Sequence, residues 1–369
     1  MNKRILVVCT TDSMIWNFLI PHIKELEQSG FYVECASSIT GDFYEKLVEL
    51  HGIKMNEIPF IRSPYHIKNL QAYNALCKLI KDKHFDTIFC HEPVGGALGR
   101  IAGRKNNCKV IYAAHGFHFY KGAPLVRRLF YYYIEKFLSL YTDALITINE
   151  EDYKAAQNFY AKKVYKINGI GVDIEKFSRI DDCYDLQQEL SLKKEDFILF
   201  SVGELIKRKN HLAVIQAVKQ IDDPHIHYVI AGDGELFDYL SESIRKLGLE
   251  KQVHLLGYRT DINRLCNCAD VFVLPSLQEG LSVALMEAMA CGTPIVASRI
   301  RGNVDLIEDG VNGFLCDPND AAGFADRIRT LLDEPDLAAE FRKNGLEKIK
   351  LHDKKRIAEE MRRIYSEEG

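Results

Sequence analysis

The sequence predicts an α/β protein made of two doubly wound, Rossmann-like domains. Its 369 residues exceed what one ordinary core organises. Short apolar runs alternate with amphipathic helical stretches, the pattern of parallel sheets covered on both faces. The alternation breaks at Asn168-Gly169-Ile170-Gly171-Val172-Asp173, a glycine-marked turn, and restarts after polar sequence that runs through Lys194.

In the first half, strands are expected at 4–9, 32–36, 87–91, 109–114, 144–148 and 163–167. Helical patterns between them include 18–29, 71–81 and 125–140. In the second half, strands are expected at 197–202, 225–231, 253–256, 271–274 and 294–297, and 354–365 reads as a charged amphipathic helix. There are no solenoid repeats and no low-complexity tract.

Hydrophobic residues make up 47% and charged residues 27%, a globular balance. The start, Met1-Asn2-Lys3-Arg4 followed by an apolar run that stops at Thr10, reads as a first buried strand and not as a signal peptide. No stretch is long enough to span a bilayer. The 10 cysteines are scattered without a Cys-x-x-Cys, which points to buried thiols in a reducing cytosol. Asp-x-Asp and His-x-x-x-His are absent, so no metal is expected. Net charge is −4, split unevenly: residues 1–172 hold 22 Lys+Arg and 16 Asp+Glu (+6), and 173–369 hold 26 and 36 (−10). A basic first half suits a phosphate-bearing acceptor or an anionic membrane, and nucleic acid is not expected as a partner.

Ligands of open parallel sheets bind beyond the carboxyl ends of strands, so the loops there are where chemistry is sought, and two such domains suggest a cleft between them. The run 271–274 enters Pro275-Ser276-Leu277-Gln278-Glu279-Gly280-Leu281-Ser282-Val283, and a helix is expected from about Ser282. A helix start offers unpaired N–H groups to a diphosphate. Glu279 and Glu287 offer acceptors to sugar hydroxyls. Another loop, Gly203-Glu204-Leu205-Ile206-Lys207-Arg208-Lys209, brings three successive cations to a helix start. It lacks P-loop spacing. Ala231-Gly232-Asp233-Gly234 has Phe237 where a dinucleotide fingerprint needs its third glycine, so a nicotinamide or flavin cofactor is not expected. In the first half, His115 and His118 follow one strand and His91 ends another; each can reach a ligand. Between 116 and 141, aromatic residues are interleaved with Lys121, Arg127, Arg128 and Lys136. That pattern suits a membrane interface and equally a helix packed on a sheet with its basic residues in water.

The ordered set His115-Gly116, the 203–210 loop, Ala231-Gly232-Asp233-Gly234, Gly257-Tyr258-Arg259-Thr260-Asp261, the 279–287 segment and Asp309-Gly310-Val311-Asn312-Gly313 resembles family-4 retaining glycosyltransferases over nearly the whole chain. The run His115-Gly116-Phe117-His118-Phe119-Tyr120-Lys121-Gly122-Ala123-Pro124 resembles the subgroup of bacterial capsule, exopolysaccharide and O-antigen assembly. The resemblance implies the GT-B fold, with an acceptor domain at 1–172 and a nucleotide-sugar domain at 173–353 facing it across a cleft. The terminal helix, 354–369, would pack back on the first domain. Glu279 would contact the transferred sugar and Glu287 the ribose. N–H groups around Gly280, Leu281, Ser282 and Val283 would face the donor, Lys209 would meet the diphosphate beside Gly203, and Arg259 and Asp261 would flank the base. His115 would be the active-site histidine, with His91, His118 and Lys121 on the acceptor side. The donor is expected to be a UDP-sugar and the acceptor a saccharide, free or linked to a polyprenyl diphosphate. The enzyme would be cytoplasmic, peripheral on the inner face of the cytoplasmic membrane, and independent of cofactor and metal. Two departures stand out: Glu204 replaces the family arginine, with Arg208 as substitute cation, and the first loop, Thr10-Thr11-Asp12-Ser13, lacks the family's glycine pair. Alternatives are a nucleotide-sugar 2-epimerase and a non-catalytic partner subunit.

Overall fold

The computed structural model describes residues 3–180 and 184–368. Its chain divides into two compact units, one up to Ile170 and from Lys355 onward, the other Gly171–Lys354. Both are parallel sheets wrapped by helices.

The first unit's strands are β1 Arg4–Thr11, β2 Tyr32–Ser38, β3 Met55–Glu57, β4 Thr87–His91, β5 Lys109–Ala114, β6 Ala144–Thr147 and β7 Lys163–Lys166. They lie in the order β3-β2-β1-β4-β5-β6-β7, every neighbouring pair parallel. The order reverses between β1 and β4, so the loops after Thr11 and His91 open at a topological switch point. The second unit's strands are β8 Phe197–Val202, β9 Ile226–Ala231, β10 Val253–Leu255, β11 Val271–Leu274, β12 Ile295–Ser298 and β13 Phe314–Cys316. Their order is β10-β9-β8-β11-β12-β13, which puts the switch point between β8 and β11. The loops starting at Gly203 and Pro275 both leave from it.

The strands β3 and β13 are additions to those expected from the sequence. Each is an edge strand of 3 residues, too short for a period to show. The helix expected over 18–29 is instead broken. Asp12–Met14 is a short helical turn, Ile15–Leu19 is a π turn, and a regular helix occupies Ile20–Gln28. Pro21 stands in the first turn of that last helix, where it has no N–H to donate backwards, and the wider π turn precedes it.

The helix Lys354–Glu368 belongs to the first unit. Tyr365 sets its ring edge against Phe89 at 5.3 Å. Glu368 receives Lys163 at 2.6 Å, Lys109 at 3.0 Å and the Tyr165 hydroxyl at 2.9 Å. These groups hold its carboxyl below the usual range although burial pushes the other way. Every described cysteine is free, and Cys183 lies outside the described residues. Among the described residues, no helix is long and apolar enough to cross a membrane.

Candidate active site

In the second unit, the loops after β8 and β11 converge on one carboxylate. The Nζ of Lys209 donates to Glu279 Oε1 at 2.8 Å, and Arg208 Nη1 stands 3.2 Å from Glu279 Oε2. Arg208 also donates to the Gln278 carbonyl at 3.0 Å, and its own carbonyl accepts from Leu277 N–H at 2.8 Å. The Glu279 side chain is only 10% exposed. Burial alone would raise its pKa; Lys209 and then Arg208 outweigh burial and hold the carboxyl below its ordinary value. Glu279 is therefore an ionised, nearly buried acceptor with two cations on it.

The backbone that places these groups is fixed by close approach. At Gly232 a Cβ would stand 1.9 Å from the Gly203 carbonyl oxygen, with φ at +156°. Gly203 N–H donates to the Ala231 carbonyl at 3.0 Å and Leu205 N–H to the Asp233 carbonyl at 2.9 Å. The Gly-Asp-Gly sequence thus serves loop-on-loop contact. A Cβ on Gly203 itself would lie 3.0 Å from Cε of Lys209, so a bare backbone there keeps the path of the lysine open. Asn210, in the left-handed region, ties the loop to the carbonyls of Pro275 at 3.1 Å and Pro318 at 2.7 Å.

The helix following the turn is Val283–Ala290. Ser282 caps it, its Oγ accepting from Leu285 N–H at 3.3 Å. Gly280, Leu281, Ser282 and Val283 form its entry, and Arg301 Nε donates to the Glu279 carbonyl at 3.2 Å. Glu287 sits in the middle of this helix. Burial pushes its carboxyl up to about 7, with Lys176 opposing. Arg259 and Asp261 are paired with each other, Nε to Oδ1 at 2.8 Å and Nη2 to Oδ2 at 2.7 Å, and Arg259 also reaches Glu189 at 2.6 Å. Glu204, at the family arginine position, points into solvent. Arg208 is the cation that joins Lys209 on Glu279.

In the first unit, His91 Nδ1 and His115 Nε2 are 3.0 Å apart with stacked rings. The third histidine nearby, His22, is buried and absent from the sequence expectations. Burial, with His22 adding repulsion, lowers His115 to about 4. His91 is pushed well below its usual value by burial and then by His115 and His22. These rings are neutral at physiological pH. His91 Nε2 is buried without a partner.

The threonines expected to open the first loop instead end β1, and they are bound by Glu92, another residue the sequence did not single out. Its Oε2 accepts from Thr10 N–H at 2.8 Å and Thr11 N–H at 3.1 Å. Glu92 adopts φ +60°, a strained conformation for a residue with a side chain, where β4 turns into the helix Pro93–Lys105. The only sequence signal was Glu-Pro after a strand. His118 packs edge-on against Tyr131 at 5.2 Å. The Lys121 N–H donates to Glu151 at 2.8 Å while its side chain is exposed. Among the described residues, no group of three or more His, Cys, Asp or Glu is placed to hold a metal ion.

Residues 185–348 match the family of glycosyl transferases group 1, and residues 4–149 match the glycosyl transferase 4-like family. The chain is 38% identical over 375 residues to EpsD of Bacillus subtilis (strain 168), covering 99% of this chain and 97% of EpsD. It is 35% identical to UDP-Gal:alpha-D-GlcNAc-diphosphoundecaprenol alpha-1,3-galactosyltransferase of Escherichia coli, covering 73% of this chain and 72% of that enzyme. The crystal structure of Anabaena Alr3699/HepE in complex with UDP superposes with a TM-score of 0.82 at 22% identity, covering 100% of both chains. The two Rossmann-like domains are those of the GT-B fold, and the family matches and relatives make the chain an enzyme that transfers sugars. The chain belongs to the family-4 glycosyltransferases.

Proposed function

We propose that the chain transfers a sugar from a UDP-sugar to a saccharide carried on a polyprenyl diphosphate, with retention of anomeric configuration and without a metal ion, in surface polysaccharide assembly. The observation that carries this reading is the pair of cations on Glu279 at the entry of a Ser282-capped helix. In the reaction, the bond from the anomeric carbon to the diphosphate breaks and one to an acceptor hydroxyl oxygen forms on the same face. The hydroxyl proton leaves with the departing phosphate oxygen. Lys209, Arg208 and the helix N–H groups balance the charge that develops there. Glu279 accepts hydrogen bonds from the transferred sugar and Glu287 from the ribose. Arg259 and Asp261 flank the base. On the acceptor side, neutral His115, held by His91, contacts the sugars, with His118 and Lys121 further out.

The UDP donor is supported by the complex in which HepE was solved, and the acceptor class by the name of the Escherichia coli relative. A cytoplasmic enzyme in peripheral contact with an anionic membrane is supported by the exposed apolar and basic residues of the helix Leu125–Leu138. The test is a thermal-shift panel of nucleotide sugars followed by turnover of Glu279→Ala. A rise in Tm with one UDP-sugar, and loss of transfer in the variant, are expected. Undiminished transfer by a folded Glu279→Ala would overturn the scheme. Conversion of the donor to an epimer with no acceptor present would replace it with the epimerase.

A further inference from the structure

The helix Leu125–Leu138 turns apolar side chains away from the core: Leu125 is 68% and Val126 82% exposed, and Leu129, Phe130 and Tyr133 are exposed as well. Its inner side is already filled, with Tyr132 against Phe119 and Phe159 at 5.2 and 5.3 Å. The loop before the helix Asn69–Lys83 extends the face, Tyr65 lying 6.4 Å from Phe130. A cavity of about 570 Å³ opens here, walled by Leu125, Leu129, Tyr132 and Tyr133 and edged by Lys121, Arg128 and Glu151. Glu151 accepts from the Lys121 backbone. Among the described residues, neither the Lys121 ammonium nor the Arg128 guanidinium pairs with a carboxylate. Segments 61–70 and 117–141 together carry Arg62, Lys68, Lys121, Arg127, Arg128 and Lys136 against one acid, Glu135. That acid is taken by buried Arg100 at 2.8 Å.

An apolar wall with unpaired cations at its rim is complementary to a molecule that joins a hydrocarbon to a dianionic or trianionic head. We propose that this cavity binds the acceptor's lipid end: the diphosphate on Lys121 and Arg128, and the first isoprene units along Leu125, Leu129, Tyr132 and Tyr133. The proposal rests on the reading that the acceptor is a polyprenyl-diphosphate-linked saccharide. Lys121 is the sixth residue after His115, so its backbone is within about 20 Å of that histidine. A short saccharide on the diphosphate spans such a gap. A second copy of the chain fits this face poorly, because a two-fold contact would oppose like charges.

The test measures binding of farnesyl diphosphate to the full chain, with farnesol, inorganic diphosphate and phosphatidylglycerol vesicles as comparison probes. Saturable binding of farnesyl diphosphate at least tenfold tighter than either half-molecule is expected. Lys121→Ala with Arg128→Ala should weaken it at least tenfold, and Leu129→Asp should weaken it while sparing inorganic diphosphate. The thermal shift with nucleotide sugar should stay unchanged in both variants, which also reports that they fold. Equal binding by the double variant, or attachment to the vesicles with no binding of farnesyl diphosphate, would overturn the proposal. Farnesyl diphosphate binding by a chain that responds to no nucleotide sugar would leave the lipid site standing and count against the transferase scheme alone.

Discussion

Lys209 and Glu279 share a hydrogen bond of 2.8 Å although they come from loops 70 residues apart in sequence. With Arg208 on the other oxygen, the three charges sum to +1. The cluster is therefore net positive, a charge that attracts an anionic group.

Lys209→Ala should therefore cost catalysis more than stability. A fall in kcat of about 100- to 1000-fold is expected, as for loss of one preorganised donor at a developing charge. Steady-state kinetics with saturating donor check this, and Lys209→Arg should recover part of the loss.

Glu287 gives a pH signature. Its folded pKa is raised to about 7 from 4.5, so the folded chain holds a proton that the unfolded chain has released. The stability contribution is complete below about 4.5 and is lost as pH rises through 7. Glu287→Gln removes this loss. Relative to the parent chain, the variant should gain on the order of 3 kcal/mol between the two ends of that window. Thermal unfolding at a series of pH values measures the difference.

His115, lowered to about 4, should contribute no ionisation to the rate between pH 5.5 and 8.5, estimated as roughly the range in which an ordinary histidine would titrate. In the Glu287→Gln variant, where that carboxyl no longer titrates, a kcat/KM profile that steps near pH 6.5 (about the unperturbed histidine value) would contradict a neutral ring. Replacing His91 by Phe removes its hydrogen bond to His115. It should lower kcat with little change in donor KM.

At Gly232, adding a single methyl group meets backbone. Gly232→Ala should destabilise the second unit by about 2–4 kcal/mol, through overpacking and a backbone conformation that alanine disfavours. Lower Tm and weaker donor binding are expected together, because the displaced partner is the Gly203 loop that carries Lys209.

Most central strands were legible because buried parallel strands read as continuous apolar runs: Val271-Phe272-Val273-Leu274 could be little else. The cap at Ser282 was legible from the polar turn before an apolar run. Edge strands such as Met55–Glu57 were not, for they carry mixed side chains and few residues. At the site, residue types were readable while pairings were not. Nothing local in sequence links Arg259 to Glu189, or Glu92 to the N–H groups of Thr10 and Thr11, since these contacts span 70 and about 80 residues. The role of Gly232 was not legible, because a glycine for phosphate approach and a glycine for loop-on-loop contact look alike in sequence.

The helix Lys354–Glu368 completes the first unit although the whole second unit precedes it in the chain. During synthesis on the ribosome, the Gly171–Lys354 unit has all of its strands before the earlier unit receives its last helix. Until then the Phe89 ring lacks Tyr365, and Lys109 and Lys163 lack Glu368. The part of the nascent chain made first is thus the last to be finished, and a first unit cut off near Ile170 would leave this apolar seam bare to chaperones.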